Sequence, residues 1–188
     1  SMINHCVEMR PTLRVKKADD IEEELASLKM KTPDVWDIEY DDFLSAFKTS
    51  LMFQDWTKEA GEDRLLERYG IAPGELYAKT QNMERMLFAS RERALLLNKK
   101  ESATMLNKLR LRVRYGVKEE LLALVELRGI GRARARMLFS NGLKTPSSII
   151  SAPKERLSKI LGPKIAEDLY KQLTEGREER FREIKGRN

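Results

Sequence analysis

One segment of the sequence restricts the possible fold more than any other, namely residues 121–139, LLALVELRGIGRARARMLF. An apolar helical face there ends before Arg128, two glycines flank Ile130, and a second helical stretch with arginine at alternate positions follows. Because glycine adopts positive φ angles without steric cost, the two glycines predict a tight turn. The segment therefore predicts two helices joined as a hairpin, with a basic second helix.

The predicted turn has the chemistry of a phosphate-binding site. Successive backbone N–H groups of a glycine turn can converge on an anion, and the N-terminus of the following helix adds partial positive charge. Arginine side chains can then bind phosphate oxygens bidentately. The candidate nucleic-acid contacts are Arg128, Gly129, Ile130, Gly131, Arg132, Arg134, Arg136 and Lys144.

The charge pattern around the turn favours the same partner. The chain has 30 acidic residues, yet none of them lies between Leu127 and Lys154, where arginine and lysine recur. We interpret the segment as a helix-hairpin-helix element that grips a nucleic-acid backbone without reading its sequence. The alternative is an ordinary helical turn with a solvated basic face.

A second, weaker copy of the pattern follows at residues 157–166, LSKILGPKIA. Gly162 again stands between an apolar helix end and a helix that carries alanine. Pro163 suits the first position of a helix, where its missing N–H costs nothing. The same proline removes a donor that a phosphate could use, so we interpret this copy as mainly structural.

Composition restricts the class of protein. A chain of 188 residues predicts one or two domains, and a net charge of +6 favours an anionic partner. With one cysteine and one histidine, neither an intrachain disulfide nor a Cys/His zinc site can form. We therefore expect a reducing, cytoplasmic setting. No apolar run approaches the roughly 20 residues of a membrane span, and no signal peptide is visible.

Apolar residues recur at helical spacing along most of the chain, which predicts an all-α fold. We expect an irregular segment at 1–17, a helical bundle at 18–115, a helix-hairpin-helix domain at 116–175 and a charged tail at 176–188. Ser147 and Ser151 are the expected caps of two short helices between 146 and 161. The other helices are expected at 20–30, 40–59, 64–69, 74–99, 102–114, 119–128 and 164–185.

Catalytic patterns are missing from the sequence. There is no G-x-x-x-x-G-K-[ST] motif to bind ATP, and a single histidine leaves no Ser/His/Asp set. Helix-hairpin-helix DNA glycosylases need an aspartate about 20 residues after the hairpin, but none occurs between Asp63 and Asp168. We predict no catalytic residue and no metal site, and we expect the chain to be inactive by itself.

Three segments resemble a known family. EYDDFLSAFKTSLMFQDWTKE, RYGIAPGELY and YGVKEELLALVELRGIGRARARMLFSNGL are similar to the C-terminal part of the Ski-two-like, superfamily-two archaeal DNA helicases known as Hjm. The similarity covers roughly residues 10–173. It implies a ratchet bundle followed by a small helical DNA-binding domain, taken from an ATP-dependent 3′-to-5′ repair helicase. Its partners would be single-stranded or forked DNA and the motor domains of the same polypeptide. ATP and Mg²⁺ would belong to those motors, and this chain would hold no cofactor.

The resemblance also implies individual roles. In the family, the helix after I-A-P-G crosses the single strand, stacks a base on an aromatic residue and adds an earlier basic contact. Aligned by hand, the aromatic position falls on Arg85 and the basic one beside Tyr77 and Lys79, which departs from the family pattern. An arginine can stack on a base, so Arg85 is our candidate, with Tyr77 or Phe88 as alternatives. Otherwise Arg85 is a plain exposed helix residue. The arginines after the hairpin would hold the outgoing strand.

Two other functions stay open at this point. One is a stand-alone helix-hairpin-helix module that recruits a partner to nucleic acid, whether DNA or RNA. The other is a protein-interaction bundle that keeps the fold and does not bind nucleic acid. The two tryptophans do not decide between them, because Trp56 shares a helical stripe with Phe43 and Phe47 and is expected in the core, whereas Trp36 next to a proline break could be core or surface.

Overall fold

The computed structural model describes residues 12–16, 21–27 and 32–185, without the side chains of 22, 27 and 176–185. The described residues form helices and connecting turns and contain no strand, which confirms the predicted all-α fold. The chain divides into two compact units, Ser1–Val117 and Lys118–Asn188.

The first unit contains helices α1 (Ile21–Ser27), α2 (Tyr40–Thr57), α3 (Glu62–Tyr69), α4 (Pro73–Leu96) and α5 (Lys100–Tyr115). Pro73 occupies the first turn of α4, where its fixed φ suits a helix start. A short turn joins α4 to α5, and the two helices pack along each other as a helical hairpin.

The core of the first unit lies between α2, α3, α4 and α5. Met52, Leu65 and Leu87 are completely buried there, each contributed by a different helix. Trp56 packs against this core, and its indole Nε1 donates a hydrogen bond of 2.7 Å to the Val113 carbonyl. The predicted core position of Trp56 is therefore confirmed, while Trp36 is 92% exposed.

A polar network ties α1, α2 and α3 together. The Tyr69 hydroxyl donates to Asp55 Oδ2 at 2.9 Å, and Arg68 donates to the same oxygen at 2.7 Å and to Glu24 at 3.0 Å. Burial of the tyrosine ring, together with the neighbouring Asp55 carboxylate, raises the pKa of Tyr69 above its ordinary value.

The second unit begins with a 3₁₀ turn at Glu119–Leu121 and continues through α6 (Leu122–Val125), α7 (Arg132–Ser140), α8 (Pro146–Ile150), α9 (Lys154–Leu161) and α10 (Pro163–Lys185). Leu121, Leu138 and Leu157 are completely buried and form the centre of its apolar core. Helix α9 packs against both α7 and α10.

Several predicted helix ends were wrong. Helix α2 stops at Thr57 and α4 at Leu96, because Glu59 and Asn98 take positive φ angles. The stretch before the hairpin is a 3₁₀ turn plus one short helix. The ends predicted for the first helix, at residues 20 and 30, lie outside the described residues.

The two predicted serine caps were also wrong. Thr145 caps α8 in a capping box with Ser148, because a proline at the first helical position places the cap residue just before it. Helix α9 follows Pro153, which supplies no side-chain cap.

Candidate nucleic-acid interface

The turn between α6 and α7 has an open outer face. Gly129 has a φ of +81°, and the Ile130 N–H donates to the Leu127 carbonyl at 3.0 Å. Ile130 is 3% exposed and anchors the turn in the core, so the exposed part of the turn is formed by the glycines on either side of it. A Cβ added at Gly129 or Gly131 would meet no atom within 4 Å. Another backbone can therefore approach the turn closely.

Helix α7 begins directly behind this turn. Gly131 is its N-cap residue in extended conformation, and no side chain caps the first turn. The Ala135 N–H is the first to bond back along the helix, to the Gly131 carbonyl at 2.9 Å. The amides before it have no intrahelical acceptor, and the helix dipole makes this end partially positive. This end of α7 has the electrostatic character of an anion site.

The predicted basic side chains differ in how they are held. Arg134 is exposed, and its Nη1 donates to the Gly129 carbonyl at 2.7 Å, which braces the turn while the guanidinium keeps its charge. Arg128 is exposed beside the turn, and Arg132 is half-buried at the start of α7. The structure thus places these three arginines around one turn.

Two further cations gather on one aromatic ring. The guanidinium carbon of Arg136 lies 5.3 Å from the centroid of Phe139, and Lys144 Nζ lies 5.1 Å from the same centroid. Arg136 also forms an ion pair of 2.8 Å with Glu120. Sequence reasoning missed both partners. The Phe139 contact could have been predicted, since Phe139 follows Arg136 by three positions on one helix. The Glu120 contact could not, because Glu120 lies in the 3₁₀ turn before α6 and Arg136 lies beyond the hairpin turn, on α7.

In the second turn a single glycine takes the two places that Gly129 and Gly131 share in the first. Gly162 has a φ of +85°, and the Ala166 N–H donates to the Gly162 carbonyl at 3.1 Å. Pro163 begins α10 and brings no N–H to this helix start. Lys154 lies nearby in the chain, with its Nζ 4.5 Å from the ring centroid of Tyr170. The second turn therefore offers fewer donors to an anion than the first.

Helix α4 presents a separate surface. Tyr77 is 66% exposed and Phe88 is 49% exposed. The helical repeat places them on the same face as the exposed Arg85, which donates a hydrogen bond to Asn82. Lys79 does not belong to this face. It is 5% exposed, and its Nζ is 3.5 Å from a Glu75 carboxylate oxygen.

Comparison with known proteins agrees with the geometry. The family model for archaeal helicase, domain 4, matches residues 1–116, and the model for a SAM-like helix-hairpin-helix tandem matches residues 121–175. The chain belongs to the archaeal helicase family. The resemblance predicted from the sequence is thereby confirmed, and the hairpin around Gly129 lies in the helix-hairpin-helix part of this archaeal helicase chain.

Curated relatives carry the same name in three organisms. The ATP-dependent DNA helicase Hel308 of Methanocaldococcus jannaschii is 36% identical over 92% of the chain and 14% of its own length. The protein of that name from Methanococcus vannielii is 38% identical over 92% of the chain and 22% of its own length. The protein of that name from Pyrococcus abyssi is 33% identical over 91% of the chain and 25% of its own length. The archaeal helicase chain therefore spans a quarter or less of these relatives.

Among the residues that the structure describes, no helix is both long and apolar enough to cross a membrane. In the part of the chain that the structure describes, His, Cys, Asp and Glu side chains form no group of three that could hold a metal ion.

Proposed function

We propose that this chain is a non-motor part of an ATP-dependent DNA repair helicase, and that it binds single-stranded or forked DNA to support 3′-to-5′ translocation and unwinding. The observation that carries the proposal is the turn before α7. An uncapped helix N-terminus lies behind two glycines whose outer face is open, and arginines surround it. Relatives named as DNA helicases support the choice of DNA as the partner.

The proposed contacts of the hairpin are to the DNA backbone. Its turn would offer amides and its arginines would bind phosphate oxygens, so no base edge needs to be read. Binding would then depend weakly on sequence and steeply on salt, because each neutralised phosphate releases condensed counterions. Arg128, Arg134 and Lys144 are exposed to an approaching strand, whereas Arg132 and Arg136 are half-buried.

A second contact is proposed on α4. The exposed rings of Tyr77 and Phe88, with Arg85 between them, form a face on which unpaired bases can stack. Stacking tolerates any base, which suits a surface that a strand moves across. We leave Lys79 out of this surface because it is buried against Glu75.

ATP hydrolysis would belong to the motor domains of the complete polypeptide. The chain has no phosphate-loop motif, so ATP and Mg²⁺ would be bound by those motors. The isolated chain would bind DNA without hydrolysing ATP. Its cytoplasmic location and its lack of cofactors stay predictions.

Fluorescence anisotropy with a labelled single-stranded oligonucleotide across a salt series tests the proposal. The variant Arg132→Ala, Arg134→Ala, Arg136→Ala removes three hairpin cations. A control variant with Lys58→Ala, Lys99→Ala and Lys100→Ala removes the same charge from exposed positions of the first unit. At about 0.7 counterions per single-strand contact, the hairpin variant should reduce the log–log salt slope by about two, and the control should reduce it much less.

Each other outcome contradicts part of the proposal. If binding survives in the hairpin variant, the main contact moves to the α4 face. If both variants weaken binding equally, the loss of binding follows from the lower net charge, and the hairpin is not a specific DNA-binding site. If the wild-type chain fails to bind at low salt, the isolated chain is better interpreted as a protein-interaction module.

A further inference from the structure

Arg136 is held on two sides before any DNA arrives. Its Nη2 lies 2.8 Å from Glu120 Oε1, and its guanidinium carbon lies 5.3 Å from the Phe139 ring centroid. Glu120 belongs to the 3₁₀ turn ahead of α6, whereas Arg136 belongs to α7. The ion pair therefore bridges the two arms of the hairpin. The pair is partly exposed, with 32% of the Arg136 side chain and 43% of the Glu120 side chain accessible.

An arginine two positions earlier on α7, and therefore on another side of this helix, is held differently. Arg134 donates to the carbonyl of Gly129, a neutral acceptor that leaves the positive charge of the guanidinium uncompensated. Arg136 donates to a carboxylate, which neutralises much of its charge at short range. Two hairpin arginines that look equivalent in the sequence thus differ electrostatically in the folded chain.

We propose that Glu120 competes with the DNA backbone for Arg136 and thereby sets the affinity of the hairpin for nucleic acid. This inference rests on the proposed function. Carboxylate and phosphate oxygens use the same donor fork of a guanidinium, so a phosphate can take those donors of Arg136 only by displacing Glu120. Glu120 thereby lowers the affinity for DNA.

The surroundings of the pair make the exchange feasible. Because both side chains are partly exposed, water can solvate Glu120 when it leaves, and such pairs are weak. The Phe139 ring packs beside the guanidinium independently of Glu120 and restricts its motion throughout the exchange. Lys144 Nζ, 5.1 Å from the same ring, brings a second cation to the place where the phosphate would bind.

The variant Glu120→Gln tests the competition, since it removes the charge and keeps the size of the side chain. Glu126→Gln is the matched control, because it removes an equal charge from an exposed residue at the C-cap of α6. Both changes are also made in an Arg136→Gln background. Binding to a labelled single-stranded oligonucleotide is measured at several salt concentrations, and thermal unfolding establishes that all variants fold.

We expect Glu120→Gln to tighten binding by about two- to five-fold at low salt, the range that follows from a partly exposed ion pair. Glu126→Gln should have a smaller effect, through net charge alone. In the Arg136→Gln background the two glutamate variants should become equal. The advantage of Glu120→Gln should also shrink as salt screens the pair.

The inference is overturned if Glu120→Gln and Glu126→Gln bind alike while the wild-type chain binds DNA, which would leave the proposed function standing. It is equally overturned if Glu120→Gln keeps its full advantage in the Arg136→Gln background. No binding by any of these proteins would overturn the proposed function and this inference together.

Discussion

Replacement of Gly116 by alanine should be among the most damaging small substitutions in this chain. Gly116 is the C-cap of α5 and adopts a left-handed conformation with φ +62°. A Cβ at this position would lie 2.5 Å from Cε2 and Cζ2 of Trp56. That indole packs against the core and donates a hydrogen bond of 2.7 Å to the Val113 carbonyl, so it has little freedom to move.

The magnitude follows from three contributions. A left-handed residue other than glycine costs about 1–2 kcal/mol. Overpacking a well-filled core costs roughly 1–3 kcal/mol, and loss of the indole hydrogen bond about 0.5–1.5 kcal/mol. We expect Gly116→Ala to lower the free energy of unfolding by about 3–6 kcal/mol, a large share of the roughly 5–15 kcal/mol typical of a domain.

Urea unfolding followed by circular dichroism measures this loss, and Gly70→Ala is the matched control. Gly70 is the left-handed C-cap of α3 in the same unit, with φ +68°, but its Cβ would meet only the Lys16 ammonium, at 3.7 Å. It should therefore lose only the conformational contribution. A Gly116→Ala variant that loses no more than Gly70→Ala would refute the argument from the Trp56 contact.

A double-mutant cycle locates the cause. Phenylalanine at position 56 lacks Cζ2, one of the two indole atoms that would lie closest to the new Cβ. In a Trp56→Phe background, the additional cost of Gly116→Ala should fall toward the cost of Gly70→Ala. If the cost of Gly116→Ala is unchanged, it comes from backbone strain at position 116, and the contact with the Trp56 ring is not its cause.

Three further outcomes are expected. Phe88→Ala should weaken binding to single-stranded DNA by about 1–3 kcal/mol in anisotropy measurements, as for other stacked bases, while Leu96→Ala, at an 88% exposed control position, should not. Lys79→Ala should lower the denaturation midpoint and leave the salt slope of DNA binding unchanged, since this side chain is buried; a shallower slope would return Lys79 to the interface. The pKa of Tyr69 is raised in the folded chain, so its protonated hydroxyl contributes to the free energy of unfolding. This contribution is complete below the ordinary tyrosine pKa of 10.0 and is lost as the pH rises above it. Above that pH the unfolding free energy of the wild type should fall more steeply than that of Tyr69→Phe, and parallel curves would contradict the shift.

Much of the fold could be predicted because its signals are local. Apolar residues at helical spacing predicted the helices, and the glycines at 129 and 131 predicted the turn. The same local reasoning failed at helix ends. The caps of α8 and α9 were predicted wrongly because several polar residues lie near each helix start, and the path of the backbone decides which of them can cap the helix.

The candidate site was predictable in its residue types and less so in its geometry. The sequence indicated the arginines close to the turn, since Arg128 directly precedes it and Arg132 and Arg134 follow it within a few positions. It could not indicate that Lys79 is buried, because its burial depends on how α4 packs in the bundle. Nor did it show that Tyr77 and Phe88 stay exposed on the face that carries Arg85.

By itself, then, the sequence determined an all-α chain with a glycine turn followed by a basic helix, because helical periodicity, glycine conformation and charge act over a few residues. Only the tertiary structure decided that Arg134 braces the turn while Arg136 pairs with Glu120, and that Gly116 leaves room for Trp56. Gly129 and Arg134 are only five residues apart, but Arg136 and Gly116 are far from their partners in the chain. Those distant residues meet because the burial of apolar side chains elsewhere brings their helices together, and no local pattern records that choice.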